Sequence, residues 1–477
     1  MELQFFNTLG RGLQNFEPSE KDQVKFYSCG PTVYDYVHIG NLRAYIFADT
    51  VKRALEFNGQ DVNWVMNITD LDDKTIARAI KQSGPNAAVA DLRGYTDQYF
   101  QLFLADLEKV NIAAQDISFV KVTDKIADIQ LFILELLNKG YAYKAEDGST
   151  YFNISKYQQD FGDYGQLVGE KFLEGKKIGA RVKVDEYEKD DLSDFALWKA
   201  HSVEDGRIFW DHPALGPGRP GWHIECTLIN YFKFPNGTDI HSGGVDLIFP
   251  HHTNEIAQAQ PIYRPFVRYW LHSEHILVDN KKMAKSAGNF FTLHDLETAG
   301  ITDGLALRYL YLQSHYRSKL NVTKASLSAA KKGLQRLYEE IAVLLKTAPL
   351  EKIYETAPNP SLLSKFTAAI NSDLNLPEAL ALISIVLKSE LTVATKLATI
   401  FKMDEVFGLN LEKAVESAGA VPAAPANAEV QELLERRSAA KAKKDFELAD
   451  RLRDEIESKG YEISDTPGGP QLKPKAK

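Results

Sequence analysis

CGPTVYDYVHIGNLR (residues 29–43) sets a strand end, a tight turn and a helix start in immediate succession. Before it, QVKFYSC (residues 23–29) carries the β-branched and aromatic residues of a buried strand. After it, Leu42, Tyr45, Ile46, Val51 and Leu55 recur close to helical spacing, and Gly59 suits a helix end. VNWVMNI (residues 62–68) supplies a second strand. Strand, loop, helix, strand is a βαβ unit, so the expected fold class is α/β with a parallel sheet.

The loop also has chemistry. The open N–H groups and positive dipole end of a helix attract anions, and a glycine there admits a phosphate close to the backbone. His38 and Asn41 flank Gly40 at that point, and an imidazole and an amide can both donate to phosphate oxygens. A nucleotide is the expected ligand, although a lone turn of this kind is more often ordinary helix capping.

The chain's 477 residues, 44% hydrophobic and 25% charged, suit a globular protein of two or three domains. No run of some eighteen apolar residues occurs, and MELQFFNTLGRGLQNFEPSE (residues 1–20) lacks the basic and apolar regions of a signal peptide. A cytoplasmic location is expected. The net charge of −9 argues against wholesale coating of nucleic acid. Residues 436–477 nevertheless hold eleven Lys and Arg against eight Asp and Glu, so a local basic surface is available there. The two cysteines, Cys29 and Cys226, form no CxxC knuckle, and the simplest reading of their number is two inert thiols rather than a disulfide.

HIGN at residues 38–41 resembles the HIGH signature of class I aminoacyl-tRNA synthetases, and the string CGPTVYDxxHIGNLR resembles its cysteinyl-tRNA synthetase form. DFALWK (residues 194–199), GWHIEC (residues 221–226), FPHHTNE (residues 249–255), KKMAKS (residues 281–286) and KKDFELADRLRDEIESKGYEISDTPGG (residues 443–469) extend the likeness along nearly the whole chain. The resemblance implies a Rossmann-like catalytic domain over residues 1–111 and 200–322, interrupted by a connective insertion at 112–199. A helical bundle at 323–417, a Pro- and Ala-rich linker at 418–429 and an anticodon-binding domain at 430–477 complete the expected order.

It also implies a site. Cys29, Cys226, His251 and Glu255 match the family's zinc ligands; His251 and Glu255, four apart, share a face if they lie on a helix. Such an ion answers a selectivity problem, because an apolar pocket separates near-isosteres such as cysteine and serine by only about 1–3 kcal/mol. A thiolate binds a borderline-soft ion where an alcohol competes poorly. By the same resemblance Asp246 pairs with the substrate ammonium, and Thr69 and Trp222 line the pocket. Lys282 and Lys285 correspond to the lysines of the KMSKS loop, with Ala284 in place of its first serine. His38, Gly40, Asn41 and Lys285 are the expected ATP contacts, with Mg²⁺ on the phosphates.

The implied reaction is cysteine activation with ATP and transfer to tRNA-Cys by a monomer. Two rivals differ from it. A ligase passing cysteine to an amino sugar would lack the terminal domain of residues 430–465, and a non-catalytic paralogue would not be expected to keep the signature residues and all four metal candidates.

Overall fold

β1 (Gln23–Ser28), α1 (Ile39–Phe57) and β2 (Asp61–Ile68) form the expected βαβ unit. β1 and β2 are parallel, with Phe26 opposite Trp64 and their rings stacked at 5.5 Å. Three more parallel strands complete the sheet: β3 (Ile117–Lys121), β4 (Thr238–Gly244) and β5 (Val267–Ser273). The spatial order is β5-β4-β1-β2-β3. β3 lies C-terminal to the boundary expected at residue 111, so the first half of the sheet reaches Lys121.

The computed structural model describes residues 2–169, 178–182, 192–283, 289–348, 350–413, 428–442, 445–458, 461–466 and 469–474. The chain divides into two compact units, one of residues 1–337 with 351–411, the other of residues 338–350 with 412–477. In the first unit a second sheet joins the expected insertion to the chain beyond it: Leu192–Ala200 pairs with Thr150–Phe152 on one side and Gly218–Pro220 on the other. Its core, including Phe152, Phe195, Leu197 and Trp198, is continuous with that of the parallel sheet. No helix among the described residues is long and apolar enough to cross a membrane.

In the second unit two helices, Ala428–Ala442 and Phe446–Ser458, close on Val430, Leu433, Leu452, Ile456 and Ile463. Asp445 Oδ1 accepts from Leu448 N–H at 3.1 Å and so caps the second of them. Asp465, Thr466 and Gly469 of the DTPGG string lie on two antiparallel strands, Tyr461–Thr466 and Gly469–Pro474, while Pro467 and Gly468 lie outside the described residues. Most of the expected linker at 418–429 lies outside the described residues.

α1 is held along its length. α2 (Trp222–Lys233) and α3 (Thr253–Ala259) carry ligand candidates, while α4 (Gly304–Leu312) and α5 (Val393–Phe407) brace α1 from behind. Arg308 on α4 is fully buried, and its Nη2 meets Asp49 Oδ2 of α1 at 2.5 Å. Its Nε donates to Phe407 O at 2.6 Å and its Nη1 to Val110 O at 3.0 Å. Arg53 shares Asp49 at 2.7 Å. Gly408 closes α5 with φ of 62°, where a Cβ would lie 2.8 Å from Arg308 Nη2. Only glycine suits both demands.

Candidate active site and metal centre

In open α/β sheets ligands bind beyond the carboxyl ends of the strands, where the strand order reverses. Here that point lies between β1 and β4. Cys29 follows β1 directly, and its N–H donates to Ser242 O of β4 at 3.2 Å. Cys226 projects from α2, and His251 and Glu255 come from the irregular turn Ile248–His252 and the first turn of α3.

The sequence-predicted quartet is assembled. One ligand atom from each of Cys29, Cys226, His251 and Glu255 can be chosen so that all four lie within 4.8 Å of one another. The two Sγ atoms are 3.9 Å apart, and His251 Nε2 lies 3.2 Å from Glu255 Oε1. Tetrahedral zinc with ordinary bond lengths would set two sulfurs about 3.8 Å apart and a nitrogen–oxygen pair about 3.3 Å apart. Glu255 is fully buried, and its Oε1 accepts no hydrogen bond among the described residues. A buried carboxylate oxygen aimed at two thiols and an imidazole fits a cation. A second quartet, Cys29, His241, His252 and Glu255, meets the same distance limit but keeps only one sulfur.

Electrostatics divide the two thiols. Burial opposes ionisation of Cys226, but the hydrogen bond from Cys29 and the neighbouring His251 hold its thiol well below the usual range. Burial and the Cys226 charge push Cys29 up. Burial, with Cys226 beside it, likewise raises the Glu255 carboxyl well above its ordinary value.

Sequence reasoning missed the histidines behind this set. His241 Nε2 lies 3.0 Å from Glu255 Oε2, and His252 Nε2 lies 3.3 Å from Cys29 Sγ. His252 Nδ1 continues to His272 Nε2 at 2.8 Å, and His272 Nδ1 to Thr8 Oγ1 at 2.7 Å. His223 Nδ1 lies 2.9 Å from His251 Nδ1. Burial pushes His241 and His272 down to about 3 and holds His223 and His252 well below the usual range. These rings are therefore neutral and orient the inner groups without adding charge.

The expected pocket residues are near. Trp222 stacks on His251 with centroids 4.3 Å apart. Thr69 receives Asn67 Nδ2 at 3.0 Å and donates its own hydroxyl to buried Glu225 at 3.2 Å, a partner the sequence did not suggest. Asp246 is exposed, and its charge helps to raise Cys29.

At the helix start, His38 caps α1 by accepting Asn41 N–H on Nδ1 at 3.1 Å, and Asn41 Oδ1 accepts His38 N–H at 3.3 Å. Capping and phosphate chemistry are thus compatible rather than alternatives. A Cβ on Gly40 would lie 2.9 Å from the His38 ring and 3.1 Å from Met283 Cε. Lys282 is exposed on a short strand pair that leads to this turn. Ala284, Lys285 and Ser286 lie outside the described residues.

Residues 15–332 match the family described as the class I (C) tRNA synthetase catalytic domain, and the chain belongs to that family of class I tRNA synthetases. Its relatives are the cysteine–tRNA ligases. It is 43% identical to the one from Chlamydia trachomatis serovar A, over 99% of this chain and 100% of that protein. It is 42% identical to the one from Chlamydia caviae, over 99% of this chain and 98% of that one. The solved structure of Mycobacterium tuberculosis methionyl-tRNA synthetase with methionyl-adenylate shares the fold, with a TM-score of 0.55 at 15% identity over 83% of this chain and 92% of that one.

Proposed function

We infer that this chain ligates L-cysteine to tRNA-Cys at the expense of ATP. The observation that carries the reading is the buried Cys29, Cys226, His251 and Glu255 set at the sheet's switch point, in a chain alike over its whole length to cysteine–tRNA ligases. A zinc ion held by these four residues would supply a soft Lewis acid that takes the substrate sulfur as thiolate and so disfavours serine.

The chain's own groups do the rest by placement. Trp222 walls the pocket beside His251, and Asp246 pairs with the substrate ammonium. ATP arrives as its Mg²⁺ complex over residues 38–41. His38 and Asn41 donate to the phosphates, while Lys282 and Lys285 stabilise charge that grows as the α-phosphorus is attacked. A cysteine carboxylate oxygen bonds to that phosphorus, the bond to the β-phosphate bridge breaks, and pyrophosphate leaves. A terminal ribose hydroxyl of tRNA then attacks the acyl carbon and releases AMP. No protein nucleophile is needed, so catalysis is positioning and electrostatics. The working unit is taken to be a monomer, and the C-terminal helix pair with its two paired strands is assigned to the anticodon.

Exchange of labelled pyrophosphate into ATP tests the first step. Exchange with cysteine and not serine is expected on the purified protein. No exchange with cysteine, with or without tRNA-Cys, refutes the reading.

A further inference from the structure

Arg43 ends the signature stretch, one turn into α1, and is only 3% exposed. Among the described residues it pairs with no carboxylate. Its guanidinium is committed to main-chain carbonyls of two other segments. Nη1 donates to His275 O at 3.1 Å and Nη2 to Ser318 O at 2.7 Å, with His315 O and Tyr316 O further off at 3.4 and 3.5 Å.

Those segments are the roots of a small sheet. His275 immediately precedes β6 (Ile276–Val278), and Ser318 stands two residues before β8 (Leu320–Val322), which runs parallel to it. β6 turns back through Asp279 and Asn280, both at positive φ, into β7 (Lys281–Lys282), placing Lys282 opposite Leu277. Asn280 N–H donates to Asn321 Oδ1 at 2.7 Å, and Glu274 N–H to Tyr316 O at 2.8 Å. The turn and the root are both fixed.

The far side of the lysine segment also returns to α1. Ile39 N–H donates to Phe291 O at 3.0 Å, Tyr311 Oη donates to Ile39 O at 2.8 Å, and Phe290 meets the His38 ring edge to face at 5.1 Å. The chain before and after residues 283–289 is thus tied to the first turns of one helix.

We propose that Arg43 is a positioning residue that sets the strand pair carrying Lys282 against the helix start carrying His38 and Asn41. The inference rests on the reading that Lys282 acts on the ATP phosphates. A planar fork can hold two strand roots at once, which a single ammonium cannot, and a displacement of about 1 Å at a reacting group costs about a hundredfold in rate.

The test is a double-mutant cycle of Arg43→Lys and Lys282→Ala in the full-length protein, read by cysteine-dependent pyrophosphate exchange. Arg43→Lys lowers kcat about tenfold or more while KM for cysteine stays within about twofold. In the Lys282→Ala background the same change has no further effect, because the group being positioned is gone. Losses that multiply across the cycle overturn the inference, since a merely structural arginine would act on both backgrounds alike. Lys282→Ala exchanging at the unaltered rate overturns instead the phosphate role of Lys282, and the inference with it. Should Arg43→Lys not fold, Asn321→Ala loosens the same hairpin from its exposed turn and gives a second cycle with the same two readings.

Discussion

His38 Nδ1 accepts the Asn41 backbone N–H at 3.1 Å, which leaves Nε2 as the ring nitrogen that can donate. One histidine therefore closes the helix with one nitrogen and offers a donor with the other. The two roles separate by substitution. His38→Asn keeps an N-cap acceptor, so stability should stay within about 0.5 kcal/mol of the parent. Pyrophosphate exchange should nevertheless fall about 10²- to 10³-fold. His38→Ala should lose the same activity and about 1 kcal/mol of stability besides. Equal exchange in His38→Asn and the parent would remove His38 from the chemistry.

Cys226→Ser replaces one of two sulfurs 3.9 Å apart by a poorer ligand. Metal analysis should find about one zinc per chain in the parent, as expected of a four-ligand site, and little in the variant. The preference for cysteine over serine in exchange should fall with it. A zinc-free parent that still rejects serine would break the link between metal and selectivity.

Asp49 lies between Arg308 at 2.5 Å and Arg53 at 2.7 Å, and all three hold α1. Removing one partner of a buried pair strands the other charge. Asp49→Ala should cost about 3–5 kcal/mol in urea unfolding. A loss below about 1 kcal/mol would mean that the network carries no more than a surface pair does.

Asp70 is buried and accepts Thr123 N–H at 3.0 Å and Oγ1–H at 2.6 Å, yet burial raises its carboxyl to about 6. Its folded value exceeds the unfolded value of about 3.9, so folding favours the protonated form. The contribution is complete below the unfolded value and is lost as pH rises towards 6. Measured against Asp70→Asn, the parent should lose about 2 kcal/mol between pH 4 and pH 7. A pH-independent difference between the two proteins would refute the assignment.

The βαβ unit was legible because its parts are local. β-branched and aromatic runs on either side of residues 29–43 and the helical spacing after them point to strand, turn and helix without help from distant chain. The candidate metal quartet was legible only through resemblance: Cys29 and Cys226 are 197 residues apart, and no spacing rule joins them. His241 and His272 gave no signal at all, because one histidine inside a strand reads as any half-buried residue. Their meaning depends on β4 and β5 lying side by side. Arg43 was missed for the same reason, since its partners are carbonyls, which every residue has.

Arg43 and Asp49 sit six residues apart on one continuous helix, the first bound to the lysine-bearing sheet and the second to Arg308. A helix turns about 100° with each residue. One residue inserted between them would swing Asp49 about 100° off Arg308 while Arg43 kept its grip. The spacing itself is therefore under constraint: this helix can change many of its side chains, but between these two positions it cannot change its length.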